Sequence, residues 1–324
     1  MNQRPRSTSA PLDRRQLLQA AGGAVAAGVW TRMSAAAEVR AEKAVVKGRI
    51  RQSVAPWCFA DYWSLEQLCQ VAKDLGCQSI ELLEPEQFAT VKKFGLTCAI
   101  SNSHLFVQGM NNPRYQPGCI EMLRQRIDQC VEAGFKTVIT FTGYAEESGE
   151  WNHGANPDLS KLPPGRRVID PDEGLKNCVA GFKQIVGYAE KKKINLAIEI
   201  LNTRATDHPM KGHPGYQGDH VDYCMEIIRQ VGSPRLGVLF DIYHVQIMDG
   251  DVIRRIRQCG EAIKHVHTAG NPGRCELDET QEINFPPIMK ALLDIGYQGF
   301  VGHEFIPTRD PLAGLTQAVR LCDV

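Results

Sequence analysis

No two cysteines in this sequence stand in a C-x-x-C spacing, although there are eleven of them. That counts against a zinc knuckle or a redox dithiol and leaves single thiols, such as Cys69 and Cys224, inside helical patterns. Such thiols read as small buried apolar groups, and their number fits folding in a reducing compartment. An excess of one charge is also missing. Lys plus Arg and Asp plus Glu each total 37 with no long run of either sign, so no surface is built to neutralise phosphates and nucleic acid is not an expected partner. No G-x-G-x-x-G turn follows the first β-like run, which argues against an open dinucleotide-binding sheet. The stretch from Gln16 to Trp30 is too short and too weakly apolar to span a bilayer comfortably, so no stable membrane anchor is expected.

The first residues do carry a recognisable order. Arg14-Arg15 precede an Ala/Gly-rich, mildly apolar stretch, and an A-x-A-like site follows near Ala35 to Ala37. That order predicts a twin-arginine export signal with a flexible N-terminus over 1–37 and a periplasmic destination, or a cytoplasmic one where the signal does not function. A substrate of that route folds before export, which is compatible with many thiols.

The remainder, 38–324, is expected to be a single domain. With 43% apolar and 23% charged residues, the chain has the balance of a globular protein that can bury a large core. Short β-branched and apolar runs alternate with helical patterns, the signature of repeated βα units. Strands are predicted at 50–57, 79–84, 97–104, 137–143, 195–202, 236–244, 263–270 and 299–305. The helix "SLEQLCQVAKDLG" opens with Ser64 as N-cap, keeps Leu65, Leu68, Val71, Ala72 and Leu75 on one face, and stops at Gly76. Eight such pairs predict an α/β fold of the closed (β/α)8 TIM-barrel type. Two connections, 144–172 and 203–218, are unusually long and follow strand C-termini. They are expected to form a lid or a contact in a homo-oligomer.

In "NLAIEILN" an ionised Glu199 sits among apolar neighbours, where lost hydration costs several kcal/mol unless a partner repays it. Three further polar residues stand at the C-terminal ends of the next strands: Asp241 in "GVLFDIYH", His267 in "IKHVHTAG" and Glu304 in "FVGHEF". Inward positions at matching heights converge at a barrel mouth. Three carboxylates there would repel one another, and a divalent cation removes the conflict. Oxygen-rich ligands with one imidazole suit Mg²⁺ or Mn²⁺.

At these residues the chain resembles the xylose-isomerase-like barrel superfamily of sugar isomerases and epimerases, and within it the hydroxypyruvate isomerase family. The stretches that carry the resemblance are "WCF", "EILN", "GYQGDH", "DIYHVQIMDGDVI", "HVHTAGNPGR", "QEINF", "GFVGHEF" and "DPLAGL". The resemblance implies that Glu199 and Glu304 bind the metal and move a proton, that Asp241 and His267 complete the ligand set, and that His244 and Arg274 contact substrate. It implies conversion of hydroxypyruvate to tartronate semialdehyde through an enediolate, with a cation on the oxygens as Lewis acid. Arg274 offers a planar fork for a substrate carboxylate. The alternatives are a ketose epimerase of the same barrel, taking a sugar as its small-molecule partner, and a non-catalytic exported sugar-binding protein. The acidic segment "CELDETQ" is expected to be a solvated surface loop, and His303, by strand alternation, to point away from Glu304.

Overall fold

The computed structural model describes residues 40–147, 167–207 and 210–324. The predicted export signal and most of the first long connection lie outside the described residues. Among the described residues there are seven parallel strands: β1 (Arg51–Val54), β2 (Ser79–Ile80), β3 (Thr137–Thr140), β4 (Asn195–Glu199), β5 (Leu236–Asp241), β6 (Ile263–Thr268) and β7 (Phe300–His303). Their order is β2-β1-β7-β6-β5-β4-β3. Ten helices alternate with them: α1 (Leu65–Leu75), α2 (Phe88–Lys93), α3 (Gln116–Ala133), α4 (Pro171–Lys183), α5 (Val186–Lys192), α6 (Val221–Val231), α7 (Ile242–Met248), α8 (Val252–Cys259), α9 (Phe285–Asp294) and α10 (Pro311–Cys322).

The strand expected at 97–104 is not a regular strand, yet its backbone joins the two outer strands. Ser79 bridges Thr97, Leu83 bridges Ser101, and Ser101 bridges Val138, all in parallel sense. The ring of a (β/α)8 barrel is thereby closed at the eighth position. A side chain interrupts the ladder there, because the Ala99 amide donates to the Ser79 hydroxyl at 2.7 Å instead of to a carbonyl. Leu82 also turns through a left-handed φ of 53°, which ends any extended run on β2.

Local chemistry explains the helix ends. Ser64 and Gln67 form a reciprocal capping box on α1, and Gly76 ends it with φ 95°, a conformation open to a residue without Cβ. Leu68, Cys69, Val71, Ala72 and Leu75 are buried, so the helix presents the predicted face to the sheet. The predicted strand 236–244 stops early because Asp241 caps a helix. One of its carboxylate oxygens accepts from the amides of Tyr243 at 2.8 Å and His244 at 3.2 Å, so His244 lies on the first turn of α7 rather than on a strand.

The main core lies between the ring and its helices. A smaller cluster of Ile100, Ile139, Phe141, Tyr144, Ala197, Leu201, Tyr216 and Leu239 fills the barrel below one side of the mouth. All eleven cysteines are free, and ten of them are buried. Among the described residues no helix is long and apolar enough to cross a membrane. The "CELDETQ" segment corrects its sequence reading. Glu276 and Leu277 are buried, because the Glu276 carboxylate accepts from the amides of Thr308 and Arg309 and from the Thr308 hydroxyl, which ties this loop to the chain after β7.

Ser79→Ala should leave the buried Ala99 amide without an acceptor and destabilise the barrel by about 1–3 kcal/mol. Urea unfolding measures this, and an unchanged midpoint would show that the closure does not depend on the hydroxyl.

Candidate active site at the barrel mouth

Parallel register brings the four residues from separate strands to one height. Asp241 pairs with His267 across β5 and β6, Glu199 ends β4 opposite Leu239, and the Glu304 amide donates to the Thr268 carbonyl just past β7. One potential ligand atom from each of Glu199, Asp241, His267 and Glu304 lies within 4.8 Å of the others, and all four residues are buried. His267 Nδ1 is the hub. It stands 2.9 Å from Glu304 Oε2, 3.4 Å from Glu199 Oε1 and 3.9 Å from Asp241 Oδ2.

His267 Nδ1 is buried and has no aligned hydrogen-bond partner, although three carboxylates surround it. Ligands about 2.1 Å from an octahedral ion stand between about 3 and 4.2 Å apart, a span close to the separations found here. Three oxygens and one nitrogen in such a cluster fit a hard divalent ion.

The electrostatics are uneven. Burial, against the pull of His267, pushes the Glu199 carboxyl up to about 7. Burial raises Asp241 to about 6, partly opposed by Arg274. Burial would raise Glu304 too, but Arg274 and His267 overcome it and hold the group at about 2. Arg274 Nη2 is 2.5 Å from Glu304 Oε2 and 3.8 Å from Asp241 Oδ2. The other Glu304 oxygen accepts from the Trp57 indole at 2.8 Å. Glu304 is therefore pinned from both sides, whereas the Glu199 carboxylate touches His267 and opens toward the cavity.

The mouth holds a cavity of about 270 Å³ walled by Trp57, Glu199, His213, Arg274 and Glu304 on its polar side. Leu82, Phe106, Ile139, Phe141 and Leu201 supply an apolar side. Arg274 is 2% exposed and is not the free fork its sequence suggested. Its guanidinium already serves Glu304 and the Met210 carbonyl and lies over the rings of Trp57 and Tyr243. It still faces the cavity. His244 lies behind the wall with its Nδ1 accepting from the Asn202 amide at 3.0 Å. The ring proton therefore sits on Nε2, 3.6 Å from Asp241 Oδ2, and burial together with Arg274 keeps the ring neutral. His303 faces away, between Gln52 and Thr268, as alternation predicts.

Residues 69–322 match the family model described as the xylose isomerase-like TIM barrel. The chain belongs to this family. Within the xylose isomerase-like barrel, the chain is 34% identical over 172 residues to hydroxypyruvate isomerase of Escherichia coli (strain K12), covering 53% of this chain and 62% of that protein. It is 32% identical over 152 residues to 2-oxo-tetronate isomerase of Cupriavidus necator, covering 46% and 55%. The chain spans about half the length of the curated relatives it matches. The crystal structure of an AP endonuclease, family 2, from Brucella melitensis superposes with a TM-score of 0.66 at 22% identity, over 82% of this chain and 97% of that one. That likeness is one of fold.

Three features of this xylose isomerase-like barrel escaped the sequence reading. Trp57, inside the quoted "WCF", was given no role. His213, on the second long connection, lines the cavity with its ring edge on Phe106, so that connection does form part of the mouth. Glu81 is wholly buried beside His265 and His267, and "SIELLE" carries the same sign as Glu199, a lone carboxylate in an apolar strand. Arg274→Met should strip the buried cation from Glu304 and Asp241 and cost about 3–5 kcal/mol. Urea unfolding in EDTA at neutral pH checks this, and a loss below about 1 kcal/mol would mean the pair is not a structural tie.

Proposed function

We propose that the protein is a metal-dependent isomerase that interconverts a small hydroxy-carbonyl acid through an enediolate, with hydroxypyruvate and tartronate semialdehyde as the first pair. The observation that carries this reading is the convergence of Glu199, Asp241, His267 and Glu304 within 4.8 Å, with both glutamates on the wall of the cavity. These four residues would hold a divalent ion, Mg²⁺ or Mn²⁺ by the chemistry of the donor set. When bound, the ion acts as a Lewis acid on carbonyl and hydroxyl oxygens.

The chain's own residues do the rest. Glu199 and Glu304 move the proton between adjacent carbons, one abstracting and the other returning it. Arg274 gives the polar side of the cavity a fixed positive charge that suits a substrate carboxylate. His244, which the resemblance implied as a substrate contact, lies behind the cavity wall and faces its Nε2 toward Asp241, so it acts on that carboxylate rather than on substrate. The cavity and its apolar side exclude water from the carbanionic stage. The relatives named hydroxypyruvate isomerase and 2-oxo-tetronate isomerase support a short acid of this class. A ketose epimerase is the second reading, supported by the broad apolar side that Leu82, Phe106, Ile139, Phe141 and Leu201 give the cavity.

Metal analysis of the purified protein together with solvent deuterium uptake into hydroxypyruvate tests the proposal. The wild type should exchange the proton and lose this on chelation. Glu199→Gln and Glu304→Gln should each lower the exchange rate by about 10²–10⁴-fold. No exchange with hydroxypyruvate, but inverted stereochemistry in a ketohexose by NMR, would favour the epimerase.

We also propose export by the twin-arginine route, supported by Arg14-Arg15 and the apolar stretch after them. Replacing both arginines by lysine should retain the full-length protein in the cytoplasm on cell fractionation. An unchanged distribution would reject the signal.

A further inference from the structure

Beneath the mouth, the floor of the barrel carries a second buried cluster. Glu81, just past β2, places Oε2 2.9 Å from His265 Nε2 and Oε1 3.0 Å from His267 Nε2. All three side chains are almost wholly buried. The two histidines stand two residues apart on β6 and so share its inward face, with their rings edge to face at 5.0 Å. His267 therefore meets carboxylates at both ring nitrogens, neither of them in aligned hydrogen-bond geometry. Nδ1 faces Glu199, Asp241 and Glu304, and Nε2 faces Glu81.

A second observation concerns the space that the Glu81 carboxylate occupies. Gly302 on β7 is the direct register partner of His267, and a Cβ built on it would overlap the Glu81 carboxylate. The missing side chain on β7 is what allows a carboxylate from β2 to reach across the barrel to the ring on β6.

We infer that Glu81 is a positioning residue: seated in the space left by Gly302, it holds the Nε2 proton of His267 and so turns the unprotonated Nδ1 toward the oxygens of Glu199, Asp241 and Glu304. This rests on the reading of those four as a cation site. A carboxylate behind a ligating imidazole fixes its tautomer and orientation and raises its basicity, and losing such a partner typically weakens metal binding by about 10–100-fold. Glu81 itself does not line the cavity.

The test uses the full chain with Mn²⁺ as probe, titrated calorimetrically and followed by the electron-spin-echo signal of an imidazole nitrogen on the ion. Glu81→Gln should bind Mn²⁺ about 10–100-fold more weakly, with an altered nitrogen coupling, while its unfolding midpoint in EDTA shows that it is folded. Gly302→Ala should act in the same direction by displacing the carboxylate. It decides the matter alone if Glu81→Gln does not fold. His303→Asn, a buried change on the same strand facing away from the cluster, should leave both readouts as in wild type. Binding within twofold of wild type and an unchanged nitrogen signal in the glutamate or glycine variant would overturn the role of Glu81. Failure of the wild type itself to bind Mn²⁺ would instead overturn the cation site, and this role with it.

Discussion

Repulsion among Glu199, Asp241 and Glu304 is the constraint on which the rest of the mouth depends. Two like charges about 4 Å apart oppose each other by about 4 kcal/mol at an effective dielectric constant of 20, and three buried carboxylates contain three such pairs. The protein meets part of this with Arg274, whose buried guanidinium reaches both Glu304 and Asp241, and part with the His267 ring. The relief is lopsided. Glu304 is held ionised, whereas Glu199 and Asp241 are driven upward by burial. A divalent ion shared by all four side chains would satisfy the two acids that Arg274 serves less well.

The backbone delivers this arrangement through means that are themselves ordinary. Asp241 spends one oxygen as the cap of α7, which fixes the carboxylate and leaves the other oxygen for the site. Tyr216, from the connection after β4, donates to the Glu199 carbonyl and accepts from the Thr142 amide, so that connection anchors the end of the strand bearing Glu199. Trp57 follows β1, the neighbour of β7 in the sheet, and donates to Glu304. Closure at 97–101 joins the two outer strands, β2 and β3, so that the ring holds β1 and β4 from both directions.

Much of this was legible in the sequence, for a physical reason. A charged residue at the end of an apolar strand must be compensated, so Glu199, Asp241, His267 and Glu304 stand out once the strands are aligned. Alternation along a strand placed His303 correctly. What escaped was information held in three dimensions. The irregular third strand depends on a Ser79 hydroxyl substituting for a carbonyl, and no periodicity encodes that. The acidic look of "CELDETQ" suggested solvent, whereas Glu276 has its amide partners thirty residues away in the chain after β7. Arg274 read as a free fork because the sequence does not reveal that Glu304 already occupies it.

A cavity larger than the one at the mouth lies at the other end of the barrel. A space of about 380 Å³ opens among the strand starts, lined by Arg51, Lys136, Asn195, Lys264 and Phe300, and it exceeds the one at the mouth. Its charged groups are cations with Glu261 as the acid among them, and neither buried acid and histidine cluster reaches it. In this architecture residues at the strand starts serve stability and those at the strand ends serve chemistry. The mouth is smaller but holds two glutamates, the Arg274 cation and the His213 imidazole on one wall, with an apolar wall opposite. That asymmetry suits a ligand whose oxygens lie at one end, because polar atoms turned toward Leu82, Phe141 and Leu201 would lose hydration without gaining partners.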